Sequence, residues 1–291
     1  MKSTLGDKIF YSVNYIVLTI ISITCLFPIV HMAAVSLSDP NSIMSGQVSI
    51  WPKGWTFEAY TTLIEGTNIL GAFKNSVVIT VVGVGLSMLF TIMAAYPLSR
   101  KYFYARKTFT LLMVFTMLFG AGIIPSYLVV KSLGLVDSYF SLWLPGLIST
   151  YNMLVMKSFF ENLPEELQEA ARIDGCGEIR MLVNIILPLS VPMIATLSLF
   201  YAVGYWNSFM NVLIYINDSD MYNLSVLVQQ MVQSQSVMQE LNEVMPEDIQ
   251  NVTPESVKAA GVMVMIIPML VVYPFLQKYF VKGVLIGSIK G

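Results

Sequence analysis

Glu169-Ala170-Ala171-Arg172-Ile173-Asp174-Gly175, continuing to Ile185-Ile186-Leu187-Pro188, is a charged, alanine-rich, glycine-broken stretch set between two long apolar runs. The segment that holds it, residues 161–188, cannot lie in hydrocarbon, and it is more ordered in design than a connector requires. It reads as a docking surface for a cytoplasmic partner. Pro164 is harmless near a helix start, where its missing N–H would have no intrahelical acceptor. Asn162 lies just upstream as a cap, and Glu165 and Glu166 complement the positive helix end. The helix is expected to run to about Asp174, with Gly175 in the left-handed closing conformation. Glu169 and Arg172, three apart, are expected to pair across one turn. Ala170 and Ala171 keep their face shallow, so that another protein can approach the backbone. A second short helix, near Glu178–Ile186, leads to the next apolar run.

Those runs set the fold class. The 291-residue chain is 56% hydrophobic and 12% charged, with mean hydropathy +0.69. Soluble domains carry about 25% charged residues, so this composition is that of an integral membrane protein. Crossing a core of about 30 Å takes roughly 20 helical residues. Six runs reach that length: Tyr11–Val35, Ala72–Leu98, Phe109–Val130, Tyr139–Phe160, Leu189–Ile216 and Ala259–Phe280. Backbone groups in lipid must be satisfied internally, so the runs are helices and the fold is all-α. We read one transmembrane domain over residues 1–291, with no soluble domain.

Lys and Arg give the orientation. With both termini cytoplasmic, twelve basic residues fall inside: Lys2, Lys8, Arg100, Lys101, Arg106, Lys107, Lys157, Arg172, Arg180, Lys278, Lys282 and Lys290. Four fall outside: Lys53, Lys74, Lys131 and Lys258. The first run exceeds the ~7–15 apolar residues of a cleavable signal, and five more follow. Cys25 and Cys176 lie in opposite environments and lack metal-ligand spacing.

Two outer segments are more than connectors. Ser38–Gly71, with Trp51-Pro52 and Gly54-Trp55, suits an ordered interfacial segment. Ile216–Lys258 is long, and Leu224 to Leu241 carries apolar residues near helical spacing among glutamines, predicting an amphipathic helix. Gly83, Gly85, Ala94, Ala95, Gly120, Gly122 and Gly204 let helices approach closely. Gly83-Val84-Gly85 lies inside an apolar run with no strand before it, so it is no nucleotide fingerprint.

The chain has no Walker A sequence and no Ser/His/Asp set, so no catalytic or metal-binding residue is assigned. Its one histidine, His31, lies in the first run and is expected to hydrogen-bond a neighbouring helix. The runs hold no carboxylate pair of the kind proton-coupled carriers use. Lys157 can snorkel to the inner interface. Hydrogen-bonding groups and aromatic faces that suit a sugar path are Tyr151 and Asn152 in the fourth run, with Tyr205, Trp206, Asn207 and Asn211 in the fifth. Helix packing and interfacial aromatic belting are the more ordinary roles for any one of them.

The spacing E-A-A, three residues, G, nine residues, I-x-L-P resembles the EAA motif of membrane subunits of bacterial ATP-binding-cassette (ABC) importers. Asn75-Ser76 after Phe73, Ala94-Ala95-Tyr96-Pro97-Leu98-Ser99-Arg100 and Gly134-Leu135-Val136-Asp137-Ser138-Tyr139 extend the likeness. So do Phe159-Phe160, Leu163-Pro164-Glu165-Glu166, Trp206-Asn207 and the tail Gly283, Gly287, Lys290-Gly291. The pattern is similar to the carbohydrate-type permeases, on the side of the smaller membrane subunit of the maltose transporter. Pro97, where many relatives have alanine, is a departure expected to end or kink the second run.

The resemblance implies a type I ABC importer permease fold of six transmembrane helices in the bacterial plasma membrane. The implied partners are a second homologous permease, two ABC ATPases, an extracellular solute-binding protein, membrane lipid and a sugar substrate, with no nucleic acid. This chain would bind no cofactor; ATP and Mg would be used by the partner ATPase. Pro164–Asp174 would be the coupling helix, with Glu165, Glu166, Glu169, Ala170, Ala171, Arg172, Asp174 and Gly175 as the ATPase-coupling residues. Ile216–Lys258 would reach the binding protein, and Lys282–Gly291 would lie near the ATPase interface. A permease for another solute, such as a peptide or phosphate, shares the same loop. A secondary carrier is disfavoured by the absence of an inverted repeat and of membrane carboxylates.

Overall fold

The computed structural model describes residues 5–233 and 252–288, with side chains as far as residue 274. Helices are the only regular elements among the described residues. The chain divides into two compact units, Met1–Leu70 with Leu227–Pro268, and Gly71–Val226 with Met269–Gly291.

The first unit opens with α1, Leu5–Ser36, whose apolar side chains from Ile9 to Phe27 are exposed along its length. At about 1.5 Å per residue its 32 residues outreach the hydrocarbon core. Its C-terminal end is the buried part, where Ala34 and Val35 pack with Val48 and Ala259. After α1 the segment Ser38–Gly71 holds two short helices. Asp39 caps α2 (Pro40–Met44) by accepting from the Ser42 amide at 3.0 Å. Gly54, at φ +61°, is required there, because a Cβ would stand 2.1 Å from the Asp39 carboxylate. Helix α3 is Glu58–Gly66. His31 stacks on Phe27 and sits 2.7 Å from the Ser49 carbonyl oxygen, a loop partner rather than the neighbouring helix anticipated.

The second unit contains α4, Ile69–Ser99, whose register carries Pro97 with no break before Ser99. Next come α5 (Arg106–Leu118) and α6 (Ile123–Ser132), which meet at 114°. The bend sits at Gly120-Ala121-Gly122, where Gly122 takes φ +84°. After α7 (Phe140–Trp143) the chain leaves helix at Leu144-Pro145-Gly146 and resumes at α8 (Thr150–Glu161), capped by Ser149. Helices α9 (Glu165–Ile173) and α10 (Glu178–Met181) follow, then a π-turn at Leu182–Ile186 and α11 at Leu187–Leu189. The run Glu178–Leu189 meets α12 (Val191–Trp206) at 81°, and α13 is Phe209–Tyr215.

Among the described residues, three helices, at 6–36, 69–99 and 254–274, are long and apolar enough to cross a membrane, and up to five spans result if each bent pair is counted as one. The predicted third, fourth and fifth runs are each interrupted, and the fourth, Tyr139–Phe160, is the one that supplies neither a long helix nor a bent pair of spanning length. Pro145 has no N–H to give and Gly146 favours departure, so hydrophobicity there is carried by two short helices. The predicted helix Leu224–Leu241 is seen as α14, Leu224–Gln233; the rest of it lies outside the described residues. The last helix, α15, is Pro254–Ser288 and covers the sixth run; Thr253 and Ser256 exchange side-chain-to-amide hydrogen bonds of 3.2 Å at its start.

Buried aliphatic, methionine and aromatic side chains, among them Ile79, Met153, Met156, Phe160 and Leu197, make the core of the second unit. Its non-helical ends are tied by polar side chains. The Asp137 carboxylate accepts from the Asn217 and Asp218 amides at 2.9 and 3.0 Å, and its own backbone is left-handed at φ 64°. Asn75 donates to the carbonyls of Asp220 and Tyr222, and the Ser76 hydroxyl accepts from the Leu224 amide at 2.8 Å. Asn75-Ser76 and Asp137 therefore act as caps for connecting segments.

Candidate functional site

The segment around α9 is a short helix with two unlike faces, closed at its C-terminal end by Asp174 and Gly175. Asn162 does not cap α9; it closes α8, with its amide donating to the Ser158 carbonyl at 2.8 Å. Pro164 itself takes the position before Glu165, and no side chain caps α9. Glu165 and Glu166 lie in its first turn as expected. At the other end Asp174 is the cap, and Gly175 is left-handed at φ +74°. The Gly175 amide donates to the Arg172 carbonyl at 3.0 Å and the Cys176 amide to the Ala171 carbonyl at 2.9 Å. This is the paired closure of a Schellman motif.

Two further expectations are corrected. Ala171 is buried and faces the protein, so only Ala170 offers a shallow outer surface. Arg172 turns away from Glu169. Its guanidinium lies over the Tyr102 ring, 4.8 Å from the centroid, and its Nη2 is 3.6 Å from Glu178 Oε1. The turn at Gly175 brings Glu178 back beside α9, which outcompetes the i,i+3 partner. Glu178 also accepts from the Tyr96 hydroxyl at 2.7 Å. Burial pushes the Glu178 carboxyl up, but hydrogen bonds from Tyr96 and Tyr102 and the charges of Arg172 and Arg100 outweigh it, holding it below its ordinary value.

On the inner face Gln168 is buried and its Oε1 accepts from Arg100 Nη1 at the end of α4. Lys101 and Glu165 pair at 2.9 Å, and Glu161 gathers Lys157 at 2.9 Å and Arg106 at 3.4 Å. A cleft of about 640 Å³ separates α9 from the ends of α4 and α8, lined on one side by Ser99–Tyr102 and on the other by Glu165, Gln168 and Glu169. The outer face presents Glu166, Leu167, Glu169, Ala170 and Ile173 to solvent, with Ile173 86% exposed.

A second cavity, about 550 Å³, opens where α8 and α12 diverge at the Leu144–Ser149 break. Of the six candidate path residues, Tyr151, Asn152, Tyr205 and Asn211 line it. Trp206 does not; it is buried edge-on against Phe73, and its carbonyl accepts from the Ser225 hydroxyl at 3.0 Å. Asn207 closes α12, donating from Nδ2 to the Val203 carbonyl. Sequence reasoning missed Tyr201, Ser149 and Ser208 in the lining. The two buried tyrosines carry polar links: Tyr205 with Ser87 at 2.9 Å and Tyr201 with Thr91 at 2.7 Å, while the Ser149 amide donates to the Tyr201 hydroxyl at 2.9 Å. Their hydroxyls are engaged in joining helices, and the Ser208 hydroxyl donates to the Tyr205 carbonyl at 2.7 Å, which leaves ring faces, Asn152 and Asn211 to the cavity. None of the lining side chains is charged.

Comparison with known proteins shows what the chain is similar to. The family model of the binding-protein-dependent transport system inner membrane component matches residues 1–286. The polygalacturonan/rhamnogalacturonan transport system permease protein YtcP of Bacillus subtilis (strain 168) is 41% identical, covering all of both chains. Protein LplC of the same organism is 40% identical over all of this chain and 98% of its own length. A chain from the crystal structure of a bacterial ABC transporter involved in the import of the acidic polysaccharide alginate superposes with TM-score 0.90. The two are 30% identical, over 96% of this chain and 99% of that one.

Proposed function

Because the chain belongs to the binding-protein-dependent transport system inner membrane components, we propose that it is the multi-pass permease subunit of an ATP-driven ABC importer of oligosaccharides. It acts as one permease domain and supplies half of the translocation path; a second, homologous permease supplies the other half. Two ABC ATPases dock below it, and an extracellular solute-binding protein delivers the sugar. ATP and Mg are handled by the ATPases, and this chain is non-catalytic. Both termini face the cytoplasm, a reading supported by the twelve-to-four distribution of basic residues.

The observation that carries the reading is the outer face of α9. A helix of nine residues, tied to the protein on one side, leaves Leu167, Ala170 and Ile173 uncovered among Glu165, Glu166 and Glu169. Apolar side chains rimmed by charge mark a protein-binding surface. Movement of α9 by the ATPases, as they close on ATP, opens and closes the path. Such coupling requires that α9 make different contacts in the two states. An oligosaccharide substrate is supported by the YtcP and alginate-importer relatives and by the uncharged, hydroxyl- and amide-bearing cavity.

The test is to purify the tagged chain in mild detergent and reconstitute it. Co-isolation of a second permease and an ATPase, with uptake that needs ATP and a sugar-loaded binding protein, is the expected result. A functional homo-oligomer driven by an ion gradient would overturn the proposal. A binding protein that retains peptide or phosphate instead would keep the importer and replace the substrate class.

A further inference from the structure

Resting on that reading of α9, we propose that Arg100 is a positioning residue that fastens the coupling helix to the end of α4, so that displacement of α9 is delivered to this span. The backbone joins α9 to its neighbours only through short non-helical links at residues 162–164 and 174–177. A side-chain tie is needed if the movement is to reach a span without loss.

The tie is a closed ring of contacts. From α9, Gln168 Oε1 accepts from Arg100 Nη1. The Arg100 guanidinium lies over the Tyr96 ring, 4.3 Å from its centroid, one turn back on α4. Tyr96 donates to Glu178 Oε2 at 2.7 Å, and Glu178 Oε1 meets Arg172, one turn along α9 from Gln168, at 3.6 Å. Arg172 completes the ring against Tyr102, just beyond the end of α4. Thus α9 is held at two points one turn apart, and both holds lead to α4 or its end.

Arg100 is 4% exposed, so its bond to Gln168 escapes the screening that weakens the parallel Lys101–Glu165 pair, whose side chains are 79% and 63% exposed. The arginine is not placed for stability. Its Nε and Nη2 are buried with no hydrogen-bond partner, and a buried charge satisfied at a single donor is less stabilising than an apolar residue of similar volume. Its contribution is the connection.

The test uses the complete importer in proteoliposomes, with Arg100→Met, Gln168→Ala and the double variant. A cysteine at Ile173, on the outer face, reports ATPase docking by cross-linking. Each single variant is expected to lower sugar uptake per ATP hydrolysed at least tenfold, with the Ile173→Cys cross-link unchanged. The double variant is expected to be no worse than the worse single, because both remove the same link. Arg100→Lys, which can donate to Gln168 and face Tyr96, should recover part of the loss. Uptake per ATP within twofold of the parent in both singles, or losses that multiply in the double, would overturn the inference. If Arg100→Met does not assemble, Gln168→Ala decides by the same criterion. No cross-link in the parent protein would instead remove the docking reading of α9, a failure distinct from an intact cross-link with unchanged coupling.

Discussion

At the residue scale, Gly175 and Glu178 set the shape of the segment around α9. Gly175 has open space where a Cβ would stand, so the effect of a substitution is the strain of φ +74° alone. That strain is about 1–2 kcal/mol for an L side chain and smaller for asparagine, which adopts left-handed backbone more readily. Uptake should therefore fall in the order Gly, Asn, Ala, Val, with membrane insertion unchanged. Equal uptake across the four in reconstituted vesicles would remove any role for this closure. Glu178 gives a pH dependence of definite sign. Its folded carboxyl titrates below the ordinary 4.5, so the stabilisation is complete above that value and is lost as pH falls through the lower folded value. The melting difference between the parent and Glu178→Gln in detergent should be constant above about pH 5.5 and shrink below pH 4.5. A difference that instead grew on acidification would contradict the contacts described.

At the element scale, the close approach of α4 to α12 rests on one glycine. A Cβ at Gly83 would lie 2.8 Å from the Tyr205 ring, and that ring is held by the Ser87 hydroxyl. Gly83→Ala should cost about 1–3 kcal/mol as overpacking. Gly85→Ala, two residues along the same helix and facing open space, should be neutral. Thermal unfolding of the two variants in detergent checks this, and similar melting of both would place the helices farther apart. The role of small residues was legible in the sequence, but which glycine mattered was not, because hydropathy does not say what faces a helix. The bounds of α9 were legible almost to the residue, since Pro164 and Gly175 punctuate it by backbone chemistry. The pairing of Arg172 was not, because local spacing favours Glu169 and only the turn after Gly175 brings Glu178 near. Tyr201 escaped notice for a related reason. In the run Leu199-Phe200-Tyr201 it reads as packing, and its links to Thr91 and Ser149 exist only after distant segments meet.

At the scale of the whole molecule, the long apolar runs were visible from composition, while the breaks within them were overridden by hydropathy. Pro145-Gly146, Gly120-Ala121-Gly122 and Asn207-Ser208 each interrupt a run that averages as continuous. Irregular backbone at membrane depth is tolerated only where it is buried in protein or lines a watery space. The break at Leu144–Ser149 borders the 550 Å³ cavity, so water should reach that cavity. A thiol reacts with maleimide as its thiolate, which forms in water and not in hydrocarbon. With Cys25 and Cys176 first replaced by serine, Tyr151→Cys on the cavity wall should label with a water-soluble maleimide at least tenfold faster than Leu89→Cys. Both parent side chains are more than half exposed, at 59% and 53%, so accessibility alone does not separate them. What separates them is the medium they face: an uncharged polar cavity for Tyr151, and the apolar flank of α4 for Leu89. Addition of ATP and loaded binding protein to the assembled importer should change the Tyr151→Cys rate and leave the Leu89→Cys rate alone. Equal rates at both positions, unmoved by ATP, would mean that the cavity is a packing defect and that the path runs elsewhere.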